Sequence, residues 1–234
     1  ENSSDLDPYT NADARTAIST AARAIDAPVL VGAVITNPDD PATVLNVGIV
    51  WDPVSGPQER YVKQHPVPFG EYVPFRPLLT RLIGRFDLVP RDFVAGSAPG
   101  VLPMGPALIG DIICFEVAYD EVVRDTVTAG ADLLAVQTNN ATYTDGGQSE
   151  QQVAMAHIRA VEHGRSTVVA ATNGISAMFL PDGTPVGELP ERTAGWLIQD
   201  LPLSTDLSPA ARLGGWLELL GLLTAVGAFV LGTR

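Results

Sequence analysis

One cysteine, Cys114, ends the apolar run A-L-I-G-D-I-I and is followed by Phe115 and Glu116. The β-branched run reads as a buried strand. A helical pattern comes next, over residues 117–128, with Ala118, Val122, Val123 and Val127 on one face and Gly130 as a stop. A thiol at such a junction meets backbone N–H donors and the positive end of a helix dipole, and both favour thiolate. Taken alone, a lone cysteine is more often an inert part of a core. Acyl transfer by a thiol also needs a group that moves its proton and donors for an oxyanion. No serine elbow of the G-x-S-x-G kind competes with Cys114. His65, His157 and His163 allow a Cys–His pair in principle, with surface or supporting roles expected for the two on one helix. The single cysteine and the absence of an H-x-x-x-H pair argue against a metal site.

The other chemistry-bearing stretch is Y-V-K-Q-H-P-V-P-F-G-E-Y-V-P, residues 61–74. Lys63 ends a strand, and Glu71 lies beyond it in a proline-stiffened turn. Each alone reads as an ordinary surface charge.

The elements that must position these residues come in a clear order. A helix capped by Thr10 or Asn11 runs to about Asp26, with Ala14, Ile18, Ala21 and Ile25 on one face. Strands are expected over residues 29–35, 44–51 and 60–63. Residues 64–106 are proline-rich, with a short amphipathic helix through Leu78, Leu79, Leu82, Ile83 and Phe86; an insert this long is usually functional, often a lid. After the cysteine strand come a strand over 133–137, a polar loop, a helix over 148–163, and strands over 167–172 and 175–180 joined at Asn173-Gly174. A last strand is expected over 196–200, then a linker over 201–209. This order predicts an α/β layered domain with helices covering sheet faces.

The chain has 234 residues and a formal charge of -13, which speaks against a nucleic-acid partner. One cysteine excludes an intramolecular disulfide. The start at Glu1, without methionine, is expected of a piece of something longer. Residues 213–232 carry one charge, Glu218, and Arg212, Trp216 and Arg234 flank or anchor the stretch. That pattern predicts a transmembrane helix.

Taken together, Lys63 in Y-x-K-x-H, the V-P-F-G-E-Y-V-P run, Cys114-Phe115-Glu116 and T-N-N-A resemble the nitrilase-like carbon–nitrogen hydrolase domain of the apolipoprotein N-acyltransferases. The helix carrying His157, Arg159, Glu162 and Arg165, with T-N-G-I-S-A and P-D-G after it, is similar as well. The resemblance implies an αββα sandwich over residues 1–205, then a linker and C-terminal transmembrane helix over 206–234. It implies a Glu–Lys–Cys triad, with Cys114 as nucleophile, Lys63 as the oxyanion partner and Glu1 as base. Glu1 is matched through Asn2-Ser3-Ser4 and the helix after them. Glu71, Glu116 and Phe115 fall at supporting positions, and Phe69, Asn139 and Tyr143 at substrate-binding ones. Asn140 and Thr142 depart from the aspartate and tryptophan common there, and Phe115 from tyrosine. The implied reaction moves an acyl chain from a phospholipid through a Cys114 thioester to the N-terminal amine of a diacylglyceryl-modified apolipoprotein. No cofactor is implied, and the implied place is the bacterial inner membrane, catalytic domain on the extracytoplasmic face. A membrane-tethered amidase or nitrilase, and a non-catalytic membrane-anchored interaction domain, are the competing expectations.

Overall fold

The computed structural model describes residues 1–77, 79, 90–142 and 146–232. Helix α1 (Ala12–Ile25) opens the domain, and its cap is Asn11, whose side chain accepts from the Ala14 N–H at 2.9 Å. Strands β1 (Val29–Thr36), β2 (Val44–Asp52) and β3 (Gly56–Val62) form an antiparallel sheet in that order. The second sheet runs β4 (Val101–Met104), β5 (Ala107–Ile113), β6 (Leu133–Thr138), β7 (Thr167–Ala171), β8 (Ser176–Phe179), β9 (Pro185–Leu189). Strands β5, β6 and β7 are parallel. Parallel neighbours need crossover connections, and helices α2 (Asp120–Thr128) and α3 (Gln148–His163) supply them.

Side-chain alternation sorts the strands into layers. In β2, Leu45, Val47, Ile49 and Trp51 pack with Ala22 and Ile18 of α1, while Val50 faces the other sheet with Tyr61, Leu102 and Ile113. Ile112, Leu134, Val136 and Val169 point outward from the second sheet onto Val122, Val123 and Val127 of α2 and Ala156 and Ala160 of α3. The layers are helix, sheet, sheet, helix. The same alternation places Asn46 and Gly48 of β2, Asp111 of β5 and Gln137 of β6 between the sheets, where polar residues need partners.

Several elements differ from expectation. The packed face of α1 runs through Ile18 and Ala22, and Ile25 is exposed. The insert hides a strand, β4, whose Pro103 is tolerated because β4 lies at the sheet edge. The later part of the insert is tied to the first sheet: the Val44 N–H of β2 donates to the Asp92 carbonyl at 3.0 Å, and the Val94 N–H to that of Val44 at 2.9 Å. The expected amphipathic helix lies outside the described residues except for Leu79. Residues 196–200 form no strand. Strand β9 pairs with β8 instead, because the turn at residues 181–184 brings it back directly.

The segment before the C-terminus is stitched down rather than loose. Buried Arg165 donates from Nη1 to Ser204 Oγ at 3.2 Å and to the Asp206 carbonyl at 2.7 Å. Ser166 Oγ donates to the Pro202 carbonyl and Ser208 Oγ to that of Glu162. A short helix, α4 (Pro209–Leu213), then buries Ala211 in the core under α2 and α3. The continuous helix expected over 213–232 is broken at Gly214, whose φ of +51° is one that side-chain-bearing residues rarely adopt. Helix α5 (Trp216–Gly232) is 17 residues and exposes Leu220, Leu223, Phe229 and Leu231. Among the described residues no helix is long and apolar enough to cross a membrane.

Candidate active site

Cys114 stands at the end of β5 with φ +56°, as the first residue of a 3-10 turn (Cys114–Ala118). A non-glycine residue in the left-handed region is uncommon and is held there only by its surroundings. Glu116 is the main restraint. Its fully buried carboxylate accepts from the N–H groups of Ile113 (2.9 Å), Gln64 (2.6 Å) and His65 (3.1 Å) and from the Tyr61 hydroxyl (2.9 Å). Glu116 thereby ties the elbow to the end of β3, where Lys63 begins. Burial pushes its carboxyl up, against those donors.

Lys63 continues the inward-facing side of β3 after Tyr61 and is 1% exposed. Its ammonium lies 3.3 Å from Glu1 Oε1 and 2.9 Å from Glu71 Oε2. Asn46 Nδ2 bridges the two carboxylates at 2.7 Å and 2.8 Å. Asn139 contributes its backbone N–H, which donates to Glu1 Oε2 at 3.0 Å. Glu71 is pinned from the other side by the Val67 N–H at 2.6 Å. Burial alone would lower the Lys63 pKa, but Glu1 and Glu71 more than offset it and drive it up. Burial raises the Glu1 carboxyl; Lys63, the chain's amino terminus, Asn46 and Asn139 together hold it below the ordinary carboxylate range.

Cys114 departs from the expected thiolate. Burial, then the Glu1 carboxylate, raise its pKa, and Lys63 and the Thr138 hydroxyl offset that only in part. A single 3-10 turn has little aligned dipole to add. The resting thiol is therefore protonated.

Two hollows meet at Cys114. One, about 250 Å³, is polar and lined by Glu1, Asn46, Lys63, Glu71 and Asn139. The other, about 260 Å³, is walled largely by apolar surface from Val67, Phe115 and Met155, with Asn140 and Gln152 as its polar side. Phe115 is half-exposed at its mouth. Phe69 is exposed, has φ +65°, and lines neither hollow. Tyr143 lies outside the described residues. The histidines stand apart: His65 stacks on Tyr119, His157 on Phe179, and His163, expected in a surface or supporting role, is buried with its pKa lowered by burial to about 4.

Asp111 and Gln137 were not legible as site residues. Both Asp111 oxygens accept from Gln137 Nε2, at 2.7 Å and 2.8 Å. They fill the space that Gly48 leaves open, and a side chain at Gly48 would collide with them. The signal was a carboxylate inside an apolar strand. Burial raises Asp111 to about 7, and Gln137 Oε1 is buried without a partner. A raised folded-state pKa gives stability that is complete below the ordinary aspartate value, about 3.9. It is lost as pH rises through about 7. Asp111→Asn can give Gln137 Oε1 a donor and cannot ionise. We expect it to raise stability at pH 8 by about 1–3 kcal/mol and to flatten the wild-type decline between pH 4 and 7, read by urea unfolding. An unchanged pH slope would contradict this account.

Residues 4–206 match the family model described as carbon–nitrogen hydrolase. The chain belongs to the carbon–nitrogen hydrolase family. Its curated relatives include the apolipoprotein N-acyltransferase of Mycolicibacterium smegmatis, 43% identical over 99% of this chain and 39% of that protein. The apolipoprotein N-acyltransferase of Shewanella oneidensis is 34% identical over 72% of this chain and 33% of its own length. The chain thus spans well under half the length of these relatives. Among solved carbon–nitrogen hydrolase-like folds, an amidase from Nesterenkonia sp. superposes with TM-score 0.57 at 22% identity, covering 80% of this chain and 66% of the other. A variant of the Nesterenkonia sp. AN1 amidase with acrylamide added at its active-site cysteine gives TM-score 0.59 at 21% identity, covering 93% and 78%. That likeness is one of fold.

Proposed function

We propose that this chain carries the catalytic domain of an apolipoprotein N-acyltransferase, with Glu1, Lys63 and Cys114 as its catalytic residues and Glu71 supporting Lys63. The observation that carries the reading is the meeting of three charged or nucleophilic side chains, from chain positions far apart, at the junction of a polar and an apolar hollow. The 43% identical relative supports the same activity.

Glu1 takes the Cys114 proton, and the thiolate attacks the ester carbonyl of a phospholipid. The tetrahedral oxyanion meets the Lys63 ammonium and the Phe115 backbone N–H. Collapse expels the lysophospholipid oxygen, which takes the proton back from Glu1, and leaves a thioester. The α-amine of a diacylglyceryl-cysteine then attacks and passes a proton to Glu1. The thiolate departs, leaving the lipoprotein amide. The apolar hollow is suited to the acyl chain. The exposed leucines of α5 support contact with a membrane, which would place the domain at the extracytoplasmic face of the bacterial inner membrane.

Phospholipid vesicles without acceptor should bind the full chain in cosedimentation and leave one acyl mass on Cys114, absent in Cys114→Ala, by intact-mass spectrometry. A diacylglyceryl peptide with a free amine should discharge it. No adduct with any phospholipid would overturn the reading. Discharge by water as fast as by the amine would point to the hydrolase.

A further inference from the structure

Gln152 stands on α3, is 7% exposed, and lines the apolar hollow beside Cys114. Its Oε1 is committed to the protein. Asn140 Nδ2 donates to it at 2.8 Å, and the buried Thr138 hydroxyl lies 3.0 Å away. That hydroxyl is also 3.1 Å from Asn140 Oδ1 and has one proton, so it serves either oxygen in turn while Asn140 keeps Gln152 Oε1 paired. A carboxamide whose oxygen is held has its amino end held too. Gln152 Nε2 has no hydrogen-bond partner among the described residues, and it carries two donor hydrogens. Gln148 and Gln151 line the same hollow but are exposed, so water serves them. Covering the Gln152 amide with an acyl donor costs its water unless the lipid supplies an acceptor. Among the described residues no charged side chain lines this hollow. A phosphate calls for charged partners and finds none there, whereas a neutral group that only accepts is matched. When one ester of a diacyl phospholipid lies at Cys114, such a group is a few bonds away on the same glycerol: the carbonyl of the other ester.

We propose that Gln152 determines specificity for the acyl donor: its Nε2 donates to the carbonyl oxygen of the ester that does not react, so the hollow takes a diacyl glycerolipid in preference to one with a single ester. This rests on the acyltransferase reading above and names the part of the lipid that the hollow recognises. No bond is made or broken at Gln152. A carbonyl held there fixes the glycerol, and through it the placement of the reacting carbonyl against Cys114. The preference also bears on turnover. The departing lysophospholipid keeps one ester and has no second carbonyl to offer, which makes it a poor donor in its turn.

The test compares two donors: a diacyl phospholipid, and its analogue with an ether in place of the non-reacting ester, which lacks only that carbonyl oxygen. Single-turnover formation of the Cys114 adduct is followed by intact-mass spectrometry in wild type, Gln152→Glu, Gln152→Met and Asn140→Asp. Wild type should acylate roughly three- to tenfold faster from the ester than from the ether, the worth of one neutral hydrogen bond. Gln152→Glu keeps an oxygen for Asn140 and Thr138 and loses the donor; Gln152→Met loses both. In each the ester-to-ether ratio should fall to about one. Asn140→Asp leaves Gln152 in place but gives it only an acceptor to face. The carboxamide then turns over, Nε2 goes to the new carboxylate, and the ratio should fall there too. Any difference in how the two lipids are presented is common to all four proteins, so the change in ratio isolates the hydrogen bond. A merely structural Gln152 would slow both donors alike and leave the ratio unmoved. Equal wild-type rates from the two donors, or a ratio that persists in Gln152→Glu, would overturn the proposal. A ratio that persists in Asn140→Asp would do the same, since the donor would then not be Gln152 Nε2. Should the methionine variant fail to fold, the glutamate variant carries the test. Wild type that takes no acyl group from either lipid would sink the acyltransferase reading, and this proposal with it, an outcome distinct from equal rates.

Discussion

Replacing Lys63 with methionine should slow formation of the acyl adduct by about 10²–10³-fold, the usual cost of removing one preorganised oxyanion contact. It should also destabilise the fold. Glu1 and Glu71 lie on either side of the ammonium, with side chains 8% and 14% exposed, and the variant leaves two carboxylates facing each other. Removing one partner of a buried ion pair typically costs about 3–5 kcal/mol, because the remaining charge is stranded. The two effects are separable. Lys63→Met combined with Glu71→Gln should recover much of the lost stability and none of the lost rate, since stability depends on the stranded charge and the rate on the missing ammonium. Single-turnover mass spectrometry and urea unfolding read them independently. Recovery of the rate along with stability would mean that Lys63 serves the fold and not the oxyanion. Arginine should not rescue either quantity, because its planar fork does not fit a slot built around one nitrogen.

Glu1→Gln should produce two opposed changes. Loss of the proton acceptor should slow both half-reactions by about 10²–10⁴-fold. Yet the Glu1 carboxylate raises the Cys114 pKa. Removing its charge should therefore bring the midpoint of Cys114 alkylation by iodoacetamide to lower pH and speed modification of the thiol. A merely structural glutamate would give slower transfer with unchanged or slower alkylation. The wild-type pH dependence has the sign of a depressed carboxyl. Glu1's contribution is present above the ordinary glutamate value of about 4.3. It is lost as pH falls through the lower folded-state value, so transfer should hold across the neutral range and fail only in acid. If Glu1→Gln alkylates more slowly than wild type while transferring at the same rate, Glu1 is not the base.

Cys114, Lys63 and Glu71 were singled out through the motifs that carry the family resemblance, since taken one by one they read as a core thiol and two surface charges. Glu1 was legible only from its neighbours on the C-terminal side. The order of strands and helices made an α/β layered domain legible, and the αββα sandwich came only with the family resemblance. What escaped notice was the polar layer between the sheets. Asp111 and Gln137 each occupy one inward position of an apolar strand, where they read as ordinary interruptions. Their meaning depends on partners far away in the chain. Strand β4 was missed because Pro103 disguises an edge strand as loop. The strand expected over residues 196–200 failed because the alternation of Trp196 and Ile198 faces solvent. The thiolate expectation failed because a strand-to-helix junction was assumed to donate a full helix dipole, and the chain supplies a 3-10 turn inside a buried, acidic pocket.

The stitching of residues 202–211 by Arg165, Ser166 and Ser208 makes α5 a lever arm rather than a leash. Its root is held by the body of the domain, and the break at Gly214 is the nearest joint. A tilt of α5 that does not bend this joint must turn the whole sandwich with it. The angle at which the two hollows face their surroundings is then set within the chain. Lengthening the segment would unpick the hydrogen bonds that aim the mouth of the site, and would not simply give it more reach.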